Sequence, residues 1–95
     1  MTLEEFEKSL TADVPPQAAE ALVALWHDAR GDWEAAHTVA QDVESAAGAW
    51  VHAYLHRKEG DLSNARYWYQ RAGKPPSTVS LEEEWKDIAA ALCRG

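Results

Sequence analysis

Residues 48–75 read GAWVHAYLHRKEGDLSNARYWYQRAGKP, and this stretch predicts two amphipathic helices joined by a tight turn. Apolar side chains recur at intervals of three and four residues on both sides of Gly60 and Asp61, as they do on the buried face of a helix. Glycine is favoured just past a helix end, and aspartate is favoured at the start of the next helix. The residues expected to face inward are Trp50, Val51, Tyr54 and Leu55 in the first helix and Leu62, Ala65, Trp68, Tyr69 and Ala72 in the second.

The same pattern occurs once more, earlier in the chain. Residues 24–41, ALWHDARGDWEAAHTVAQ, align with residues 53–70, AYLHRKEGDLSNARYWYQ. The identical pairs, each 29 positions apart, are Ala24/Ala53, His27/His56, Gly31/Gly60, Asp32/Asp61, Ala36/Ala65 and Gln41/Gln70. Similarity at a fixed period, built on helix–turn–helix units, is typical of an α-solenoid.

The sequence therefore predicts one all-α domain over residues 1–95, with two antiparallel helix pairs and a capping helix at each end. The expected bounds are about 16–44 and 46–73 for the pairs and about 2–10 and 81–93 for the capping helices. Both capping helices begin with capping-box spacing, Thr2 with Glu5 and Ser80 with Glu83, in which the two residues bond each other's backbone.

At these residues the chain resembles the tetratricopeptide and related short helical-repeat families, over about residues 18–75. The second copy matches the turn glycine, the small residues and the aromatic of that motif at Ala53, Gly60, Leu62, Ala65, Tyr69 and Ala72. The period is shorter than the family's 34 residues, and His27 and His56 stand where the family has a packing tyrosine. The resemblance implies a scaffold that binds proteins or peptides in a groove lined by the first helix of each pair. It assigns to that groove Leu25, Asp28, Trp50, Tyr54 and Arg57.

Composition and charge limit the classes of function. Hydrophobic residues make up 46% of the chain and charged residues 26%, which is typical of a globular domain and not of a disordered one. The net charge is −7 at pH 7, so repulsion from phosphate backbones argues against nucleic-acid binding. Only residues 56–74 are positive, with five bases against two acids. This segment suits either an acidic partner or the chain's own acidic ends.

The expected location is the cytoplasm, without a membrane anchor. The lone Cys93 excludes an internal disulfide, and the acidic first residues carry no secretion signal. No apolar run approaches the roughly 20 residues that span a bilayer.

Aromatic residues give the main functional prediction. One small core is not expected to bury all eight of the large rings Trp26, Trp33, Trp50, Tyr54, Tyr67, Trp68, Tyr69 and Trp85. Those at the surface are typical interface anchors, as arginine is. Trp50, Tyr54 and Arg57 are spaced three and four residues apart and share a helix face. They are predicted to bind a protein or peptide with an acidic or carboxylate-ended segment. The sequence also allows the formation of a homo-oligomer.

The alternative is a small-ligand or metal-binding protein, with or without enzyme activity, that uses a histidine–aromatic–arginine cluster. Its candidate residues are His52, His56, Arg66, Trp68 and Arg71. His52 and His56 lie four residues apart on one helix face, a spacing that allows both to bind one metal ion. The candidate further ligands, none with diagnostic spacing, are His27, His37, Glu59 and Asp61.

No metal, cofactor or catalytic residue is predicted. The chain has no HExxH motif, no cysteine pair, no nucleophile motif and no glycine-rich phosphate loop. His27 and His56 lie just before predicted helix ends, where an imidazole interacts favourably with free carbonyl groups. They are therefore interpreted as structural, and a non-enzymatic interaction module is the favoured function.

Overall fold

The computed structural model describes residues 1–94, which form six α-helices and no β-strand. The helices are α1 (Leu3–Ser9), α2 (Glu20–Ala29), α3 (Trp33–Gln41), α4 (Ala46–Glu59), α5 (Leu62–Ala72) and α6 (Leu81–Arg94). The all-α class is therefore confirmed. Over these 94 residues no helix is both long and apolar enough to cross a membrane.

The helix starts are set mostly by the predicted side-chain caps. Thr2 and Glu5 form a complete capping box at α1, and Asp61 accepts from the Asn64 backbone N–H at the start of α5. At α6 the Ser80 hydroxyl accepts from the Glu83 N–H at 3.1 Å. Helix α2 differs from the prediction, since it begins at Glu20 and not near residue 16. Its N-cap is Ala19, which has no side-chain acceptor to fix an earlier start.

The glycines in the turns between paired helices take the left-handed conformation that is common just past a helix end. Gly31 has φ +83° and Gly60 has φ +88°, and the Asp61 N–H closes the α4 end on the His56 carbonyl. A Cβ built on either glycine would meet no atom within 4 Å. The cost of a side chain there is therefore backbone strain alone.

Gly60→Val is expected to lower the free energy of unfolding by about 1–2 kcal/mol, because a β-branched residue is strained at positive φ. Gly31→Val should cost about the same, since its backbone and surroundings match. Urea unfolding of both variants checks this. A neutral Gly60 variant would contradict the assignment of the turn.

Helix α4 is the centre of the molecule. It packs against α2, α3, α5 and α6, while α1 packs against α6. Three indole N–H groups tie helices and segments together by donating to backbone carbonyls: Trp26 to Ser9, Trp33 to Leu55 and Trp85 to Leu25. The fully buried side chains of the core include Phe6, Leu25, Val51, Leu55 and Ile88.

One expected core residue is in fact exposed. Leu62 is 56% exposed, because it begins α5 at the Gly60–Asp61 turn, where it lines a shallow pocket with Arg57 and Arg66. Helix α5 buries Ala65 and Tyr69 instead. Of the eight large rings, Tyr67 is 50% exposed, whereas Trp26, Tyr54, Tyr69 and Trp85 are buried and Trp33, Trp50 and Trp68 are partly buried.

Candidate functional site

The three predicted partner-binding residues do not form one exposed surface. Tyr54 is 3% exposed, and its hydroxyl donates to Asp28 Oδ2 at 2.8 Å. Burial and the Asp28 charge raise the pKa of the Tyr54 phenol. Arg57 donates to Glu84 Oε1 at 2.8 Å and to the Val79 carbonyl. Partner binding by these residues stays a prediction, and in this conformation Tyr54 and Arg57 face the protein's own helices.

Helix α6 explains why that face is covered. It packs against both α2 and α4, the two helices to which the resemblance assigns a binding groove. Leu25 and Asp28, the other expected groove residues, are buried, and the Leu25 carbonyl accepts from the Trp85 indole of α6. Trp50 is partly buried, with the Lys74 ammonium 4.2 Å above its ring centroid.

Two buried carboxylates hold these helices together. Asp28 accepts from Tyr54 and, at 2.8 Å, from Lys58. Glu84, 2% exposed, accepts from Arg57 and from the Tyr69 hydroxyl at 2.5 Å. Each carboxylate therefore has one basic and one phenolic partner, which is what a buried charge requires.

Three histidines from two helices meet on the opposite side of α4. His52 and His56 stack with ring centroids 4.8 Å apart, and His37 of α3 approaches both edge-on, at 4.7 and 5.2 Å. One ring nitrogen from each histidine lies within 4.8 Å of the other two. We call His37, His52 and His56 the histidine cluster.

Aromatic rings enclose the histidine cluster. The Trp68 ring of α5 stacks on His52 at a centroid distance of 3.9 Å, and the Trp33 ring stacks on His37 at 4.9 Å. His52 is 5% exposed and His56 8% exposed. The cluster is therefore an imidazole-rich site with aromatic rings against His37 and His52 and the Glu59 carboxylate against His56.

The histidine cluster disfavours its own protonation. Burial, together with the neighbouring His37 and His56, lowers the pKa of His52 from 6.5 to about 4. Burial and His56 also lower the pKa of His37. Near neutral pH these two rings are unprotonated, with nitrogen lone pairs free to accept.

In metal-free buffer, the free energy of unfolding is expected to fall as the pH decreases from 6.5 toward 4. The folded-state pKa of His52 lies below its unfolded-state value, so the unfolded chain binds more protons in this range. The His52 contribution is complete above pH 6.5 and is lost by up to about 1.4 kcal/mol per pH unit below it. Urea unfolding across the range measures the slope. His52→Gln should flatten it, and an unchanged slope in that variant would contradict the assignment.

A second candidate surface is the α5 outer face, which we define by Arg66, Tyr67, Gln70 and Arg71. All four side chains are exposed. The Arg71 guanidinium lies 5.0 Å from the Trp68 ring centroid, 5.8 Å from that of Tyr67, and donates to the Tyr67 hydroxyl at 3.0 Å. Trp68 and Arg71 also line a pocket of about 530 Å³ between α5 and the α3–α4 connection.

The alternative ligand residues are thus divided between two places. His52 and His56 belong to the histidine cluster, Arg71 belongs to the α5 outer face, and Trp68 touches both. Arg66 also belongs to the α5 outer face, away from the cluster, and lines the shallow pocket near Leu62.

Sequence reasoning did not single out His37 as the third member of the cluster. The repeat drew attention to His27, which lies edge-on to Trp26 at the end of α2. His56 also differs from its interpretation, since its Nδ1 contacts the Glu59 carboxylate at 2.6 Å and not a helix carbonyl. The available signal was the four-residue spacing of Trp33 and His37, which places both on the α3 face toward α4.

The histidine cluster and the α5 outer face are therefore assigned from contacts, burial and charge. No protein-family model matches the chain, and comparisons with curated proteins and with solved structures give no match either.

Proposed function

We propose that the chain is a non-enzymatic interaction module of the helical-repeat type, which binds an acidic segment of another protein or peptide on the α5 outer face. The observation that carries this proposal is the pair of exposed side chains Tyr67 and Arg71, beside the partly buried Trp68 ring. It lies in the only positively charged part of an acidic chain.

Charge supports an acidic partner. Residues 62–81 contain no aspartate or glutamate but three bases, Arg66, Arg71 and Lys74, in a chain of net charge −7. A basic face on an acidic protein attracts acidic segments of a partner, whereas the rest of its surface repels them.

The side chains of the α5 outer face are of the type that anchors interfaces. Tyrosine and arginine are enriched among interface hot spots. Tyr67 is 50% exposed and does not belong to the buried core. The hydrogen bond from Arg71 to the Tyr67 hydroxyl holds both side chains in place before a partner arrives. Such pre-ordering lowers the entropy cost of binding.

The tetratricopeptide-like arrangement is part of the same proposal. It is supported by the two packed pairs, α2 with α3 and α4 with α5, and by their equivalent glycine turns. Because α6 covers the side of α2 and α4 where such scaffolds bind, the proposal assigns recognition to α5. A cytoplasmic location is proposed with it, supported by the free Cys93 thiol.

Tyr67→Ala and Arg71→Ala are each expected to weaken partner binding by about 2 kcal/mol, or roughly 30-fold. The partner is captured from native lysate, its bound segment is prepared as a peptide, and affinities are measured by calorimetry. Lys8→Ala, which removes a 77% exposed base on α1, is the matched control and should change nothing. Equal affinity in all variants, or a bound segment without acidic residues, would contradict the proposal.

A further inference from the structure

We propose that the histidine cluster binds one divalent transition-metal ion, with zinc as the expected ion and His37, His52 and His56 as its three protein ligands. The inference goes beyond the proposed interaction function, because it concerns a site on the other side of Trp68 and needs no partner protein. Its basis is the convergence of three ring nitrogens within 4.8 Å of one another.

Coordination requires the three ring nitrogens, which now lie within 4.8 Å of one another, to come closer together. At a zinc–nitrogen distance of about 2.0–2.1 Å, tetrahedral ligand atoms lie roughly 3.4 Å apart. His52 and His56 are already on one face of α4, in successive turns. His37 comes from the adjacent helix α3, and the bond from the Trp33 indole to the Leu55 carbonyl fixes the position of α3 on α4.

His52 has an unexplained polar atom. Its Nδ1 is buried and has no hydrogen-bond partner among the described residues. Water does not reach it easily either, because His52 is only 5% exposed. A buried polar atom without a partner is costly, and an ion or water is a common reason for one. A metal ion bound at the cluster would give this nitrogen a partner.

Glu59 holds His56 in the form that binds metals. The Glu59 carboxylate accepts a hydrogen bond from His56 Nδ1 at 2.6 Å, which leaves the lone pair on Nε2. A carboxylate behind a metal-binding histidine fixes the tautomer and ring orientation and raises the basicity of the ligand nitrogen.

The donor set selects the class of ion. Three imidazole nitrogens without thiolate suit Zn²⁺, Cu²⁺, Ni²⁺ and Co²⁺, whereas Ca²⁺ and Mg²⁺ prefer oxygen ligands. Three protein ligands leave a fourth position for water or another small ligand. Trp33 and Trp68, stacked on His37 and His52, limit the access of water to the site.

A neighbouring group of His56, Glu59 and Asp61 also places three ligand atoms close together. It is the weaker candidate, because Asp61 already caps α5 through the Asn64 backbone and side-chain amides. The Glu59 carboxylate already bonds His56, and Glu59 is exposed to solvent. The experiment below separates the two sites.

The test titrates metal-stripped protein with ZnCl₂ by calorimetry and with CoCl₂ by visible absorption. We expect one equivalent of either metal to bind, and bound Co²⁺ to show the strong visible bands of a four-coordinate ion. Added Cu²⁺ should quench the tryptophan fluorescence, because Trp33 and Trp68 adjoin the ligands. His37→Asn and His52→Asn should weaken zinc binding by about 100-fold or more, since even outer partners of ligands change metal affinity by about 10- to 100-fold. Glu59→Gln should weaken it by about tenfold and keep the stoichiometry.

His27→Asn is the matched control, because His27 is the repeat equivalent of His56 but lies at the end of α2. It should bind zinc as the parent does. His37 is only partly buried, so its variant keeps the test valid if His52→Asn fails to fold, and circular dichroism monitors folding. No equimolar binding by the parent would overturn the proposal. Equimolar binding that survives His37→Asn but is lost in Asp61→Asn would also overturn it, by placing the ion at the exposed group.

Discussion

Replacing Glu84 by alanine is expected to lower the free energy of unfolding by roughly 3–5 kcal/mol. The Glu84 carboxylate is 2% exposed and accepts from both Arg57 and Tyr69. Its removal leaves the partly buried Arg57 guanidinium without its carboxylate and the buried Tyr69 hydroxyl without an acceptor. An uncompensated charge and an unsatisfied hydroxyl are among the largest single-residue penalties in proteins.

Urea unfolding measures this effect, and two further variants locate its cause. Glu82→Ala removes an exposed glutamate from the same turn of α6 and should stay within about 0.5 kcal/mol of the parent. The double variant Arg57→Met/Glu84→Met should recover much of the loss, because replacing both partners of a buried pair by apolar residues is often nearly neutral. A Glu84→Ala cost similar to that of Glu82→Ala would show that the carboxylate is not buried.

Replacing Trp85 by alanine should cost roughly 3–5 kcal/mol, the usual range for truncating a large buried aromatic ring. Trp85 stacks on Phe6 of α1 with ring centroids 5.7 Å apart and donates to the Leu25 carbonyl of α2 at 3.1 Å. One side chain therefore joins α6 to both helices. Its loss leaves a cavity and removes the hydrogen bond to the Leu25 carbonyl.

The ring and the hydrogen bond of Trp85 contribute separately. Trp85→Phe keeps most of the apolar contact with Phe6 and should lose only about 1–2 kcal/mol. Leu62→Ala truncates a 56% exposed apolar residue and is expected to change stability by no more than about 0.5 kcal/mol. Thermal and urea unfolding rank the three variants, and an equal cost for Leu62→Ala and Trp85→Ala would contradict the core described above.

The parts of the fold that the sequence predicts are those that local rules determine. The turn at Gly60 and the cap at Asp61 depend on a few neighbouring residues, so their types alone indicate a helix end and a helix start. The late start of α2 at Glu20 was missed for the same reason. Ala19 carries no cap signal, and the boundary is left to packing.

The candidate site depends on contacts between distant residues, which local patterns do not determine. Glu84 meets Arg57 across 27 positions, and Asp28 meets Tyr54 across 26. These acids look like ordinary surface residues in the sequence, because acidic side chains are seldom buried unless they are paired. Their burial follows from the position of α6, which turned the predicted groove residues Tyr54 and Arg57 into internal contacts.

His37 shows the same limit at the histidine cluster. Its neighbours in the sequence predict only that it shares a helix face with Trp33. Its approach to His52 and His56 depends on how α3 packs against α4, and no motif spacing encodes that distance. The i, i+4 pair of His52 and His56, by contrast, was visible from the spacing alone.

The central claim is that partners are recognised on the α5 outer face, and site-specific photo-crosslinking in native cells tests it most directly. The photoreactive amino acid p-benzoylphenylalanine replaces the exposed Tyr67 in one variant and the exposed Lys8 of α1 in another. The proposal predicts that position 67 crosslinks to a specific protein through an acidic segment, while position 8 does not. The same crosslinked species at both positions, or none at position 67 when position 8 yields one, would contradict it.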